Sequence, residues 1–290
     1  LRKLRIGVVA ACCAAAAVAS IAIGNVTWAR TSARAMRRLE DERAPAAPGA
    51  AVCVSAEEVA ALPPPVARYF RFALSPEQRI VEHARFSQTG TMRAGAADPW
   101  KPFTAVEAFS TRSVGFVWDA SARMMPFVPI RIRDGYAAGT AMSEAKFAAT
   151  IPAGKLADTP EVRSASLVRY LAEAPWLPTA LLPSSGVSWT QLDDDSARAT
   201  LTDHDRTVSL DVDFAKSGEI VRSSTMRFRN VGAGKPVLTR WTGRYTRYER
   251  FEGMMIPTEA EVGWKPPEGE FSVWRGRITS ARYRFAAATS

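Results

Sequence analysis

The stretch Thr207-Val208-Ser209-Leu210-Asp211-Val212-Asp213-Phe214 alternates strictly between polar and apolar side chains. A period of two belongs to a strand with one face buried and the other in water. Lys216-Ser217-Gly218 follows as a tight turn, and residues 220–228 return as the partner strand. Outward from this hairpin the same period recurs over residues 85–93, 103–111, 114–123, 129–136, 136–147, 187–192, 197–201, 237–249, 258–264 and 271–285. Turn signals separate these runs, among them Gly95, Asp98-Pro99, Ser113 and Asp193-Asp194-Asp195. Asp134-Gly135 reads as a turn or as a bulge before the strand from Tyr136.

Only one segment, residues 164–174, reads as a helix between strands; Leu167, Val168, Tyr170 and Leu171 form its apolar side and Pro175 stops it. Strands without crossover helices pair antiparallel. The fold class expected is therefore mainly β (α+β), with about ten strands. It is a large curved antiparallel sheet or half-barrel with helices packed on its concave face. Ser55-Ala56-Glu57-Glu58 opens a short helix, and Pro65 sits in the first turn of the next, so two helices lead into the body.

Upstream, Ile6–Ala29 carries no charge and follows Arg2, Lys3 and Arg5. As a helix the run spans roughly 36 Å, enough to cross a bilayer. An uncleaved transmembrane anchor, with Trp28 at the interface, and a cleaved signal segment both fit. The domains expected are an N-terminal anchor or signal segment over 1–29, a tether over 30–54 and a single β-rich domain over 55–290. A basic head before an apolar stretch is the export pattern and favours the periplasmic or extracellular side for the soluble domain, whereas three basic residues before the run against five after it favour a cytoplasmic body. The formal net charge is +9, but the first 43 residues hold eight basic and three acidic side chains. Over half of the excess brackets the apolar run, so no nucleic-acid partner is expected.

Two histidines and three cysteines exclude a disulfide framework and a Cys/His zinc site. No phosphate loop, dinucleotide fingerprint or nucleophile elbow is present, so neither a cofactor nor a metal is expected. Asp193-Asp194-Asp195 lacks the alternation of a cation loop and reads as a solvated turn. Asp211 and Asp213 share the wet face of their strand. His204, between Asp203 and Asp205, reads as a surface histidine in a turn. The aromatic residues are the better lead. Phe116, Trp118, Trp176, Trp241 and Trp264 fall on different elements, and a curved sheet needs something on its concave face. They are the candidate ligand-binding residues, with the apolar segment 176–182 as a cover. The arginine-rich C-terminal third suits a rim that meets anionic head groups, or a protein partner.

Several segments together resemble a known family: Leu62-Pro63-Pro64-Pro65-Val66-Ala67-Arg68-Tyr69, Gly115-Phe116-Val117-Trp118-Asp119-Ala120, residues 169–183 around Trp176, Ile256 to Trp264, and Trp274-Arg275-Gly276-Arg277-Ile278. They resemble an uncharacterised bacterial family, a domain of unknown function often preceded by a membrane segment. The element order is also similar to periplasmic lipoprotein carriers of the LolA and LolB type. That likeness implies a half-barrel whose concave face holds acyl chains beneath helices. The function expected is non-catalytic binding of an apolar or lipid-like ligand by a membrane-tethered domain. The alternatives are an envelope protein-interaction or structural module with a filled core, and a hydrolase built on the scattered carboxylates Glu107, Asp119 and Glu173.

Overall fold

The computed structural model describes residues 2–41, 52–125, 128–232 and 234–287, with the side chains of residues 2–11, 14, 124 and 125 left out. Some side chains of the apolar run Ile6–Ala29 and residues 42–51 of the tether 30–54 therefore lie outside the described residues.

Thirteen strands form one antiparallel sheet, against the ten or so expected. They are β1 (Val81–Met92), β2 (Lys101–Ser110), β3 (Gly115–Met125), β4 (Val128–Ala137), β5 (Thr140–Phe147), β6 (Ile151–Leu156), β7 (Val187–Gln191), β8 (Ser196–Asp203), β9 (Arg206–Phe214), β10 (Ile220–Arg229), β11 (Val237–Phe251), β12 (Met254–Lys265) and β13 (Phe271–Phe285). The spatial order β6-β5-β4-β3-β2-β1-β13-β12-β11-β10-β9-β8-β7 joins two meanders along β1 and β13. The chain runs outward to one edge, crosses, and runs back from the other. The crossing is a helix, Pro160–Glu173, capped by Thr159 and followed by three proline-framed turns that end at Gly186.

The sheet curls until its halves touch. The Tyr136 hydroxyl donates to Asp203 at 2.6 Å, and Gly139 lies against the His204 ring. One part of the concavity is packed solid by helix Pro64–Ala73 and the turns after the crossing helix, with Tyr69, Phe70, Leu171, Leu177 and Leu182 all buried. Residues 177–182 are thus core rather than a cover.

Three expectations need correction. Asp134-Gly135 makes no turn; it lies inside β4, and the turn falls at Ala138-Gly139. Gly135 is needed there because a Cβ would sit 2.9 Å from the Phe116 carbonyl oxygen. The edge strand β6 escaped the periodicity because Pro152, Gly154 and Lys155 break it.

The third concerns the N-terminal helix, Arg2–Asp41, whose C-terminal half lies on the outer face of the sheet, away from the concavity. Trp28 is buried there instead of marking a membrane interface. Its indole donates to Asp119 at 2.9 Å and its ring stacks 4.2 Å from the Arg133 guanidinium. Arg133 in turn donates to Ser32, Thr31 and the Trp28 carbonyl, and pairs with Glu144. Met36 and Leu39 pack on Ala108 and Val117. Among the described residues no helix is long and apolar enough to cross a membrane. Removing the Trp28 ring should release the helix without unfolding the sheet. Trp28→Ala is expected to speed limited proteolysis within residues 24–41 at least tenfold while the main thermal transition stays nearly in place.

Candidate functional site

On β3 the alternation turns Phe116 and Trp118 inward and Val117 and Asp119 outward. The crossing helix lies above Phe116 and Trp118, and Arg169 reaches down from it to them. Its guanidinium stands 4.9 Å from both ring centroids, a cation–π arrangement on two sides. It also pairs with three carboxylates: Glu107 of β2 at 3.1 Å, Asp134 of β4 at 3.2 Å and Glu173 one helical turn on at 2.8 Å. The Gln88 amide of β1 donates to Glu107 at 2.7 Å and accepts the Trp118 indole N–H at 2.9 Å. One arginine thus ties the helix to three strands directly and, through the Glu107–Gln88 hydrogen bond, to β1.

Glu107 is wholly buried. Burial, and then the facing Glu173, push its pKa well above the ordinary carboxylate range, against the pull of Arg169 and Gln88. Burial likewise raises Glu173, with Arg169 opposing. For Arg169 burial acts downward, but Glu173, Glu107 and Asp134 outweigh it and hold the guanidinium above its usual value. Arg169 thus faces two carboxyls whose burial favours the protonated form.

Arg227 of β10 faces the same space from the opposite half of the sheet. Its Nε donates to the Ala165 carbonyl at 3.0 Å, and its guanidinium lies 5.7 Å from the rings of Trp241 and Trp264. Among the described residues no carboxylate pairs with it. Burial and the neighbouring Arg169 push its pKa down to about 10, with Glu173 and Asp134 partly offsetting them.

Two cavities flank this ionic bridge. One, of about 250 Å³, lies between Trp118, Ile132, Trp176, Trp241, Tyr245 and Trp274. The other, of about 360 Å³, lies between Phe116, Met142, Val162, Phe228 and Trp264. Asp134, Arg169 and Arg227 border both. Met92, Ile132, Val262 and Trp274 are half-exposed, so the first cavity opens at the end of the sheet where the β1–β2 and β12–β13 hairpins lie.

Of the five residues singled out in the sequence, Trp118, Trp176 and Trp241 border the first cavity, and Phe116 and Trp264 the second. The carboxylates Glu107 and Glu173 converge on Arg169, but Asp119 is on the outer face with Trp28 and Arg131. Glu107 does not border either cavity, so the two acids do not form an open catalytic pair. His204 is exposed at the β8–β9 turn, outside both cavities, and Asp211 pairs with Arg198. Sequence reading assigns no role to Arg169 or Gln88, places Asp134 only in a turn or bulge, and Arg227 only among the arginines of the C-terminal third. Only the Arg169–Glu173 spacing of four on a helix carried a local signal. Among the described residues no cluster of His, Cys, Asp or Glu is placed to hold a metal ion.

A family model described as a family of unknown function, DUF6920, matches residues 60–283. No curated protein matches the sequence. Among solved structures the chain is similar to a putative outer membrane lipoprotein-sorting protein domain from Vibrio parahaemolyticus, with TM-score 0.38, 8% identity, and 71% of this chain and 87% of that one covered. A LolA superfamily protein from Nitrosomonas europaea is similar at TM-score 0.35 and 14% identity, over 81% of this chain and 96% of that one. A DUF1329 family protein from Desulfovibrio piger is similar at TM-score 0.35 and 11% identity, over 72% and 88%.

Proposed function

The chain belongs to DUF6920, a family of unknown function, and from that premise we propose that it is a membrane-tethered domain that binds a lipid-like ligand in the concavity of its sheet. The observation that carries this reading is the aromatic cavity of about 250 Å³ that opens at one end of the half-barrel, beside a part of the concavity that is packed solid. Burying an apolar chain against Trp118, Trp176 and Trp241 supplies roughly 25 cal/mol per Å² of surface removed from water. Phe116 and Trp264 offer a second chamber to the same ligand.

The tether is supported by the N-terminal helix. Its Gly24 abuts Thr150 of the β5–β6 turn. Beyond that point Val18, Ile21 and Ile23 stand exposed, and the uncharged sequence continues toward Ile6. Exposed apolar side chains on a helix that extends away from the domain suit contact with a membrane surface. Such a tether would hold the domain at the membrane surface, on the exported side.

Native mass spectrometry of the full chain after mild detergent extraction tests the ligand. The wild type is expected to carry one bound amphiphile. Ala260→Phe fills the cavity from β12 and is expected to lower occupancy at least tenfold with little change in Tm. A wild type that neither retains nor takes up any amphiphile would overturn the reading.

A second reading rests on β6, whose residues 151–155 are exposed along an unpaired sheet edge. An extended segment of a partner could add there as a further strand. Photo-crosslinking from position 153 to a single protein, together with an empty concavity, would favour this over the ligand reading.

A further inference from the structure

Among the described residues Arg227 is a half-buried cation with no paired carboxylate. Arg169, on the neighbouring helix, has three carboxylates; Arg227 has a single backbone carbonyl, bound through Nε. Its remaining N–H groups border both cavities, between the faces of Trp241 and Trp264. A half-buried guanidinium costs free energy unless its donors and its charge are met. Removing Arg227 would cost the fold one hydrogen bond to Ala165, whereas keeping it places an unmatched positive charge beside an apolar chamber.

That arrangement suits a ligand with two parts. The tail lies against the indole rings, and an acidic head accepts from the guanidinium, whose planar fork matches two oxygens of one group. The far side of the first cavity carries another unmet donor. The Trp176 indole N–H is buried there without a partner among the described residues. Asp134 and Glu173 also border the cavity, so an anionic head would be repelled from their side and held on that of Arg227.

We propose that Arg227 is the head-group site for a single-chain amphiphile with an anionic head, a carboxylate or a phosphate monoester, held with its head inside the half-barrel. The proposal rests on the cavity reading above and sharpens it. A diacyl phospholipid with its head in water would not use Arg227. A free fatty acid or an alkyl phosphate would.

The test uses the full chain in mild detergent and the quenching of its tryptophan fluorescence. The probes are hexadecanoate, hexadecyl phosphate and hexadecanol, which share a tail and differ in the head. One anionic probe or both should bind at least about tenfold more tightly than the alcohol, the scale of a hydrogen bond to a charged group. Which anion shows the preference identifies the head group. In Arg227→Gln the preference should vanish, with the anion falling to the alcohol's affinity and the alcohol unchanged. Binding of the alcohol doubles as the control for folding, and Arg227→Lys should keep part of the preference. A preference that survives intact in Arg227→Gln, or its absence in the wild type while all three probes bind, overturns the role of Arg227 and leaves the cavity reading standing. If none of the three probes binds, the cavity reading fails and this proposal fails with it.

Discussion

Arg169→Ala is expected to destabilise the protein by about 3–5 kcal/mol, the range for breaking a buried ion pair from one side. Glu107, Asp134 and Glu173 all lose their counter-charge at once, and Glu107 has no access to water. The two rings on which the guanidinium rests also lose their contact, and the crossing helix its anchor to β2 and β4. The loss should depend on pH, because the orphaned carboxylates can be neutralised by protonation. It should be smaller near pH 4.5 than at pH 8.

The same cluster fixes the sign of a second effect. The folded-state pKa of Glu107 is raised above the ordinary 4.5, by burial first and by Glu173 second. A group raised in this way contributes stability that is fully present below its unfolded pKa and is lost as pH rises through the folded value. Glu107→Gln keeps a neutral side chain at every pH. The wild type should therefore lose stability relative to Glu107→Gln as pH rises from about 4.5 toward 8.5. Urea melts of both proteins across that range measure the difference directly, and a gap that does not change with pH would show that Glu107 is ionised throughout.

The alternation of β9 and its neighbours was enough to place the sheet, because these strands keep one wet face; in β9, Arg206–Phe214, the even positions from Val208 onward are buried. Where both faces are exposed, as in β6, no pattern forms and the strand was missed. Asp134-Gly135 carried a turn signal for reasons unrelated to turning. The acid pairs with Arg169 and the glycine yields space to the Phe116 carbonyl. The aromatic border of the cavities was legible because indoles on separate strands of a curved sheet converge on its inside. The ionic bridge was not. Arg169 stands 62 positions from Glu107, and pairings across such separations leave no local periodicity. Asp119 could have been set aside by parity alone, since it lies one position from the inward Trp118 and so on the opposite face.

Gly90→Ala is expected to prevent stable folding, whereas Gly276→Ala should leave a folded protein with an altered cavity. The two glycines stand opposite one another where the meanders join, on β1 and β13, and Gly90 also faces Phe103 of β2. Phe103 and Trp274 lie side by side over this bare patch, their centroids 5.7 Å apart. A Cβ on Gly90 would come within 2.0 Å of the Arg275 carbonyl oxygen and 2.8 Å of the Gly276 Cα. Both are backbone atoms of the central pairing, so relief requires the strands to part. Overpacking of this kind costs about 1–3 kcal/mol where neighbours can yield, and more where they cannot. At Gly276 the obstacle is different: a Cβ would meet the Trp274 ring at 2.1 Å. A side chain can swing away, and Trp274 borders the opening of the first cavity. Gly276→Ala should therefore lower Tm by only a few degrees, shift the tryptophan emission and change amphiphile affinity. A loss of stability as large as that of Gly90→Ala would mean that the Trp274 ring is locked in place, and that this end of the cavity is part of the core and not its mouth.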